Sequence, residues 1–144
     1  MATDFQQIRA NNAVTSHASG NKSTAAAVAW VDMRDYKSLL AVLTPIVLAT
    51  DGGITEVKIQ ASTASNGANP VDVKSLTINT GDEAATVGDQ LVIEVEETEI
   101  RQAGAGLRYV SVVHKNASAT DRACVTYVRS AKHGKLNLTA NLIQ

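Results

Sequence analysis

Alternation of apolar and polar residues is the feature that most restricts the fold of this chain. Residues 107–115 (LRYVSVVHK) and Arg122–Ala131 (RACVTYVRSA) both alternate along most of their length. Successive side chains of a strand point to opposite faces of a sheet, so each segment predicts a half-buried strand. We expect these two strands to pair with each other through a turn at residues 116–121.

The rest of the chain predicts further short strands rather than long helices. The apolar runs 39–42 and 46–48 favour strands covered on both faces, with Pro45 at a bulge, an edge or a break. Asp51-Gly52-Gly53 favours a hairpin turn, and residues 97–106 are expected to form another turn. About eight or nine strands without a fixed repeat indicate an all-β fold, a single-domain antiparallel β-sandwich. The pattern leaves a jelly roll and an immunoglobulin-like strand order open.

The 144 residues fit a single domain with terminal extensions. Residues 1–23 are polar and are predicted to form an extended N-terminal arm that becomes ordered only against a neighbouring surface. Residues 24–134 are predicted to form the β-sandwich domain. Residues 135–144 are expected to be a C-terminal strand or a second arm.

Charge and composition argue against several kinds of partner. Thirteen basic and fourteen acidic residues give a net charge of −1, which disfavours nucleic-acid binding. Residues 1–20 lack the apolar centre of a secretory signal, and the longest apolar region, residues 39–49, is too short to cross a bilayer. The single cysteine, Cys124, is expected to be a buried structural thiol. We therefore expect no nucleic acid or membrane as partner, and synthesis in a cytoplasm.

The residues that could bind a metal do not form a recognisable motif. The three histidines have no H-x-H spacing and are expected to be exposed to solvent; they are His17, His114 and His133. One dense acidic run resembles a solvated strand end more than a calcium loop; it contains Glu94, Glu96, Glu97 and Glu99. We expect no metal ion and no cofactor.

Two further charged groups are better explained by structure than by chemistry. Asp32 and Asp35 flank Arg34, which favours a turn with local ion pairing over acid–base catalysis. The basic residues near the C-terminus are expected to be solvated; they are Arg122, Arg129, Lys132 and Lys135. Because an odd number of positions separates Arg122 from Arg129, these two would point to opposite faces of a strand. No nucleophile motif or glycine-rich phosphate loop is present. The sequence therefore predicts a protein without catalytic residues, that is, not an enzyme.

Three stretches carry a resemblance to a known family. They are WVDMRDYKSLLAVLTP followed by GITEVKIQAS, then GDQLVIEVEETEI, and then LRYVSVVHKNASATDRACVTYVRS. In their order of strands and turns, over about residues 25–133, they resemble small virion proteins of tailed phages. The resemblance is nearest to the head decoration, or cement, proteins, which have a jelly-roll-like β-sandwich.

This resemblance implies a structural virion protein on the outside of the capsid. Such a protein binds the major capsid protein, bridges neighbouring capsid subunits and associates with itself, as a homotrimer by analogy. An alternative is a phage tail or receptor-binding component that recognises a host surface ligand. The aromatic content of 3% argues against glycan recognition.

Overall fold

The structure, a computed structural model, describes residues 12–19, 25–50, 52–76, 78 and 86–132. Within these residues the chain forms two antiparallel β-sheets and one short helix. The inner faces of both sheets contribute to a single cluster of buried aliphatic residues. The predicted all-β sandwich is therefore confirmed.

Each sheet is built from strands that are distant in sequence. Sheet A contains, in spatial order, β1 (Asn12–Ser19), β9 (Arg122–Ala131), β4 (Tyr36–Val47) and β7 (Leu91–Glu96). Sheet B contains β2 (Ala26–Ala27), β8 (Tyr109–Asn116), β5 (Ile54–Ser62) and β6 (Val71–Leu76), and β3 (Val31–Asp32) also pairs with β8. Helix α1 (Glu97–Ala103) follows β7 directly.

The core follows the period of two that the sequence shows. In β5 the inner positions Val57, Ile59 and Ala61 are fully buried, as predicted, and Glu56 and Lys58 are not. The facing strands contribute buried residues at the same period, among them Leu39, Ala41, Leu43, Ile93, Val95, Val110, Val112 and Val125. Burying each large aliphatic side chain stabilises the fold by roughly 1.5–3 kcal/mol.

Two predicted pairings are wrong, because alternation shows that a strand has a buried face but not which strand lies beside it. Strands β8 and β9 lie in different sheets, although they are consecutive in the chain. Strands β4 and β5 also lie in different sheets, so the connection at residues 48–53 is not a hairpin. Asp51 itself lies outside the described residues.

The apolar stretch at residues 39–48 is mostly one strand, and its outer face is not fully covered. Pro45 lies at a bulge, because the register of β4 against β9 shifts between Pro45 and Val47. Leu40 is half-buried, whereas Ile46 and Val47 are exposed. The expectation of strands covered on both faces is therefore wrong for this stretch.

The predicted turn at residues 97–106 begins with helix α1. The side chain of Glu99 accepts a hydrogen bond from the Glu96 backbone N–H at 2.9 Å, which caps the first turn. Ile100 is buried and joins the core. A seven-residue helix is too short to show a clear helical period in the sequence. No helix among the described residues is long and apolar enough to span a membrane.

Part of the predicted N-terminal arm belongs to sheet A. Strand β1 pairs with β9 over its full length, from Asn12 opposite Ser130 to Ser19 opposite Ala123. The described sandwich therefore begins at residue 12 rather than at residue 24. Residues 1–11 and 20–24 of the predicted arm, and the predicted tail at 135–144, lie outside the described residues.

Tyr127 links the two sheets through its hydroxyl group. The ring is fully buried in sheet A, and its oxygen accepts a hydrogen bond from the Val112 N–H of sheet B at 3.0 Å. The same hydroxyl donates to the Ala29 carbonyl at 3.1 Å, in the short segment between β2 and β3. One side chain therefore satisfies two backbone groups where the ladder along β8 is interrupted.

Asp121 holds two loops together at one end of the sandwich, residues 48–53 and 117–121. Its carboxylate is 1% exposed and accepts hydrogen bonds from the backbone N–H groups of Ala49 (2.8 Å), Gly53 (3.0 Å) and Ser118 (3.1 Å). Gly52 passes so close to this carboxylate that a Cβ atom would overlap it. The connection from β4 to β5, which joins the two sheets, is therefore held in place by the buried Asp121 carboxylate rather than by a hairpin.

Candidate functional site

The histidines named by the sequence do not come together. His114 shares the inner face of β8 with Val110 and Val112 and is fully buried, with Nδ1 3.0 Å from Asn116 Oδ1. The predicted exposure of His114 is therefore wrong, because its position in the strand points it into the core. His17 lies in β1, with its ring 5.5 Å from that of Tyr127, and His133 lies outside the described residues.

The acidic run is used in capping and in ion pairs. Glu97 pairs with Lys132 at 2.7 Å and Glu99 with Lys74 at 3.1 Å. The backbone N–H of Glu96, followed by Lys74, lowers the pKa of Glu99. Glu94 and Glu96 are exposed. No group of three His, Cys, Asp or Glu residues suited to a metal ion occurs in the described ranges.

The Asp32–Asp35 segment forms a turn, and its ion pair is with a distant residue. Asp32 Oδ1 accepts hydrogen bonds from the Arg34 backbone N–H at 2.9 Å and from Arg108 Nε at 2.8 Å. Arg108 is the main cause of the lowered pKa of Asp32. Asp35 is exposed, and its carbonyl accepts a bond from Lys132 N–H. The two residues are therefore engaged separately, Asp32 through its carboxylate and Asp35 through its backbone carbonyl.

The basic residues near the C-terminus contact their own chain. The Arg122 guanidinium donates to the carbonyls of Ala119 (3.0 Å) and Asp121 (2.9 Å). The Arg129 guanidinium donates to the Asp32 carbonyl at 2.9 Å and stacks 4.4 Å from the centre of the Tyr36 ring. Lys135 lies outside the described residues. The side chains of Arg122 and Arg129 therefore do not form a continuous basic stripe.

Cys124 lies on the outer face of sheet A and is only half-buried. The predicted core position is wrong, because Ala123, Val125 and Tyr127 occupy the inner face of β9 and parity places Cys124 opposite. Its cross-strand neighbours are Ala18 in β1 and Thr44 in β4.

Three rows of residues on the outer face of sheet A form a nearly uncharged surface, here called the docking face. The register aligns outward-pointing residues in these three rows, and a further row beside them, Ser130–Ser38–Glu96, ends in the exposed Glu96 and is not part of the docking face. The register of the three rows comes from the pairing of β1, β9, β4 and β7. These rows are Val14–Val128–Leu40–Glu94, Ser16–Thr126–Val42–Val92 and Ala18–Cys124–Thr44. Val14 is 62% and Val92 47% exposed. Apart from Glu94 at the β7 edge, every residue in these rows is apolar or a small neutral side chain.

The outer face of sheet B has the opposite character. Lys58 Nζ pairs with Asp72 at 3.0 Å and lies 3.9 Å from Glu56. Gln60 also donates to Asp72, at 2.6 Å, and this bond is the main cause of the lowered pKa of that carboxyl. Charged, mutually paired side chains favour a solvated surface. Apolar side chains that remain exposed beside one another on a sheet instead favour contact with another molecule.

Sequence reasoning did not identify the docking face, although its residues were visible as apolar positions. Leu40 and Val42 occur in an apolar run that also contains buried residues, so the pattern does not separate the inner from the outer set. Only the register of β1, β9, β4 and β7 shows that Val14, Val128 and Val92 lie beside them.

Comparisons with known proteins identify no family. No family model matches, and no curated protein matches. Among solved structures, the chain is similar to a Bacillus endospore appendage pilus protein (14% identity, TM-score 0.41, covering 84% of this chain and 88% of that one). It is also similar to the SPBc2 prophage-derived protein YomS (13%, 0.41, 83% and 95%) and to a pentameric capsid protein from metagenomic phage sequences (12%, 0.32, 94% and 68%). Two of these three are phage-related proteins, but similarity at this level establishes no function.

Proposed function

We propose that this chain is a non-enzymatic structural protein of a phage virion, a decoration protein that binds the outside of the head. The docking face is the observation that carries the proposal, because it consists of apolar and small neutral side chains with one charged residue, Glu94, at its edge. The resemblance of the strand-and-turn order to cement proteins supports it. The major capsid protein is the proposed partner, and the protein would stabilise the shell by bridging its subunits.

Apolar burial supplies the binding energy in this proposal. Covering a partly exposed valine such as Val14 or Val92 contributes on the order of 1 kcal/mol. A single copy of the protein with only a few such contacts would bind weakly, because association costs translational and rotational freedom. Many copies on a symmetric shell, or a homo-oligomer such as the trimer that the resemblance implies, then hold firmly through multivalency.

The copy number of this chain in purified particles tests the proposal. We expect a count equal to that of the major shell protein or a simple fraction of it, because a decoration protein occupies repeated lattice positions. Quantitative mass spectrometry of particles gives the ratio. A handful of copies per particle would indicate the portal, tail or fibre instead, and absence from particles would exclude the virion role.

A lysine placed on the docking face should weaken attachment without unfolding the sandwich. In Val92→Lys, a charge at a 47% exposed position would have to be desolvated on the shell, so we expect at least tenfold weaker binding to undecorated heads. The matched control is Val71→Lys, in β6 of sheet B, where the valine is 38% exposed. Equal binding by both variants in a sedimentation assay would contradict this choice of face.

A further inference from the structure

Among the described strands, β1 forms an open edge of sheet A. It pairs with β9 on one side, and on its other side no described strand lies beside it. Its eight residues, NAVTSHAS, contain no lysine, glutamate, aspartate, arginine, proline or glycine. A regular, uncharged edge of this length leaves a row of backbone N–H and C=O groups able to pair with another strand.

The other edge strands carry the features that prevent such pairing. Strand β7 exposes Glu94 and Glu96. Strand β6 exposes Asp72 and has a register shift opposite Gln60. The remaining edge of sheet B is formed by β2 and β3, which have only two residues each. Among the described strands, β1 alone is a long and regular edge without charges.

Two side chains on the inner face of β1 have polar atoms that are buried without a partner. Thr15 Oγ1 and His17 Nε2 are shielded from solvent and make no hydrogen bond within the described part of the chain. A buried polar group left unsatisfied costs about 1–3 kcal/mol, so such atoms are normally paired. Both atoms lie on β1, the strand at this edge of the described sheet, and a third unpartnered buried atom, Arg129 Nε, lies on the neighbouring strand β9.

We propose that β1 pairs with β1 of a second copy of this chain, antiparallel about a two-fold axis perpendicular to the sheet. Residues directly opposite each other in such a pair lie on the same face of the sheet, so inner residues of one copy lie opposite inner residues of the other. The register that places Thr15 opposite His17 of the second copy brings these two side chains side by side at two places in the pair, and a rotation of both towards the new strand lets the Thr15 hydroxyl donate to His17 Nε2. In the same register Ser16 lies opposite Ser16, and Val14 lies opposite Ala18.

The pairing fits the surfaces on both sides of β1. The strand has no charge, so the two copies do not repel each other along the new ladder. Sheet A would become a continuous eight-stranded sheet, and the two docking faces would become one surface. The inference does not depend on the proposed virion role, because it rests on the edge, the register and the two unpartnered atoms alone.

Cysteine cross-linking tests the register directly. In a Cys124→Ser background, Ser16→Cys would place two thiols opposite each other, with Cα atoms about 4.5–5.5 Å apart, within the range for a disulfide. Val14→Cys and Ala18→Cys are the controls, because each introduced cysteine would lie about 13 Å along the strands from the same cysteine of the second copy. We expect covalent dimers from Ser16→Cys only. Cross-linking at the control positions with equal efficiency would overturn the register.

Sedimentation equilibrium of the full chain tests the pairing itself. Ser16→Lys would bring two lysines together on the two-fold axis and should raise the dimer dissociation constant at least tenfold. Ser75→Lys, at an exposed position of edge strand β6, should leave it unchanged. A wild-type chain that is monomeric at all accessible concentrations, or that forms only trimers, would overturn the proposal.

Thr15→Val tests the proposed Thr15–His17 contact, because it should change the stability of the monomer and of the dimer in opposite directions. The substitution removes the unpartnered hydroxyl, so the monomer should be at least as stable to denaturant as the wild type. The dimer should nevertheless dissociate about fivefold to tenfold more readily, because His17 of the second copy loses its donor. An unchanged dissociation constant would contradict the proposed Thr15–His17 contact.

Discussion

Asp121→Asn should destabilise the sandwich by about 3 kcal/mol, because buried backbone donors would lose their acceptor. Asp121 Oδ1 accepts the Ala49 N–H and Oδ2 accepts the N–H groups of Gly53 and Ser118, so an amide nitrogen at either position would face at least one donor. The loops at residues 48–53 and 117–121 would lose their shared anchor. Urea denaturation followed by circular dichroism measures the loss.

The matched control is Asp89→Asn. The Asp89 carboxylate also accepts a backbone N–H, from Thr86 at 3.0 Å, but it is exposed to solvent. Water can replace that contact, so we expect a loss below about 0.5 kcal/mol. Equal losses in the two variants would show that the buried carboxylate is not the anchor.

The same variant makes a prediction about acid stability. Burial acts to raise the pKa of the Asp121 carboxyl, but the N–H groups of Ala49, Gly53 and Ser118 outweigh it, and the pKa lies below its ordinary value. A pKa that is lower in the folded state contributes stability above the unfolded pKa, about 3.9, and this is lost as the pH falls further. The wild type should therefore lose stability between about pH 5 and pH 2 more steeply than Asp121→Asn. Parallel pH profiles would contradict the assignment.

Tyr127→Phe should cost about 2 kcal/mol while keeping the shape of the core. The phenylalanine ring fills the same space, but the Val112 N–H and the Ala29 carbonyl would both lose their partner between the sheets. We expect a lower denaturation midpoint. We also expect faster hydrogen exchange at the Val112 amide, because its bond to the hydroxyl is lost.

The matched control for this substitution is Tyr109→Phe. Tyr109 is half-buried, and Arg108 lies 5.1 Å from its ring centre, a contact that phenylalanine retains. A loss within about 0.5 kcal/mol is expected there. If Tyr127→Phe is equally mild, water or another polar group must accept from the Val112 N–H and donate to the Ala29 carbonyl.

Burial also raises the pKa of the Tyr127 hydroxyl, although its hydrogen bonds act in the other direction. A pKa that is higher in the folded state means that the stabilisation is complete below about pH 10, the ordinary tyrosine value. It is lost as the pH rises through the raised value. The wild type should therefore be more sensitive to alkaline conditions than Tyr127→Phe, which has no hydroxyl to ionise.

The candidate site could be predicted only in part. The charged clusters were visible in the sequence, and the expectation of a turn at Asp32–Asp35 agrees with the hydrogen bond from Arg34. The docking face and the open β1 edge were not predicted, because both depend on which strands are neighbours. Val14 and Val92 are 78 residues apart in sequence and yet belong to one surface.

The sequence by itself determined the local elements, because a side-chain period of two depends only on adjacent residues. The bounds of β5 and β9 and the inner set Val57, Ile59 and Ala61 follow from that period. For Pro45 the sequence left a bulge, an edge or a break open, and the register of β4 against β9 shows the bulge. Tertiary structure alone decided that β8 and β9 lie in opposite sheets, and that His114 and Asp121 are buried. Strand pairing and burial depend on contacts between distant segments, and alternation alone does not encode those contacts.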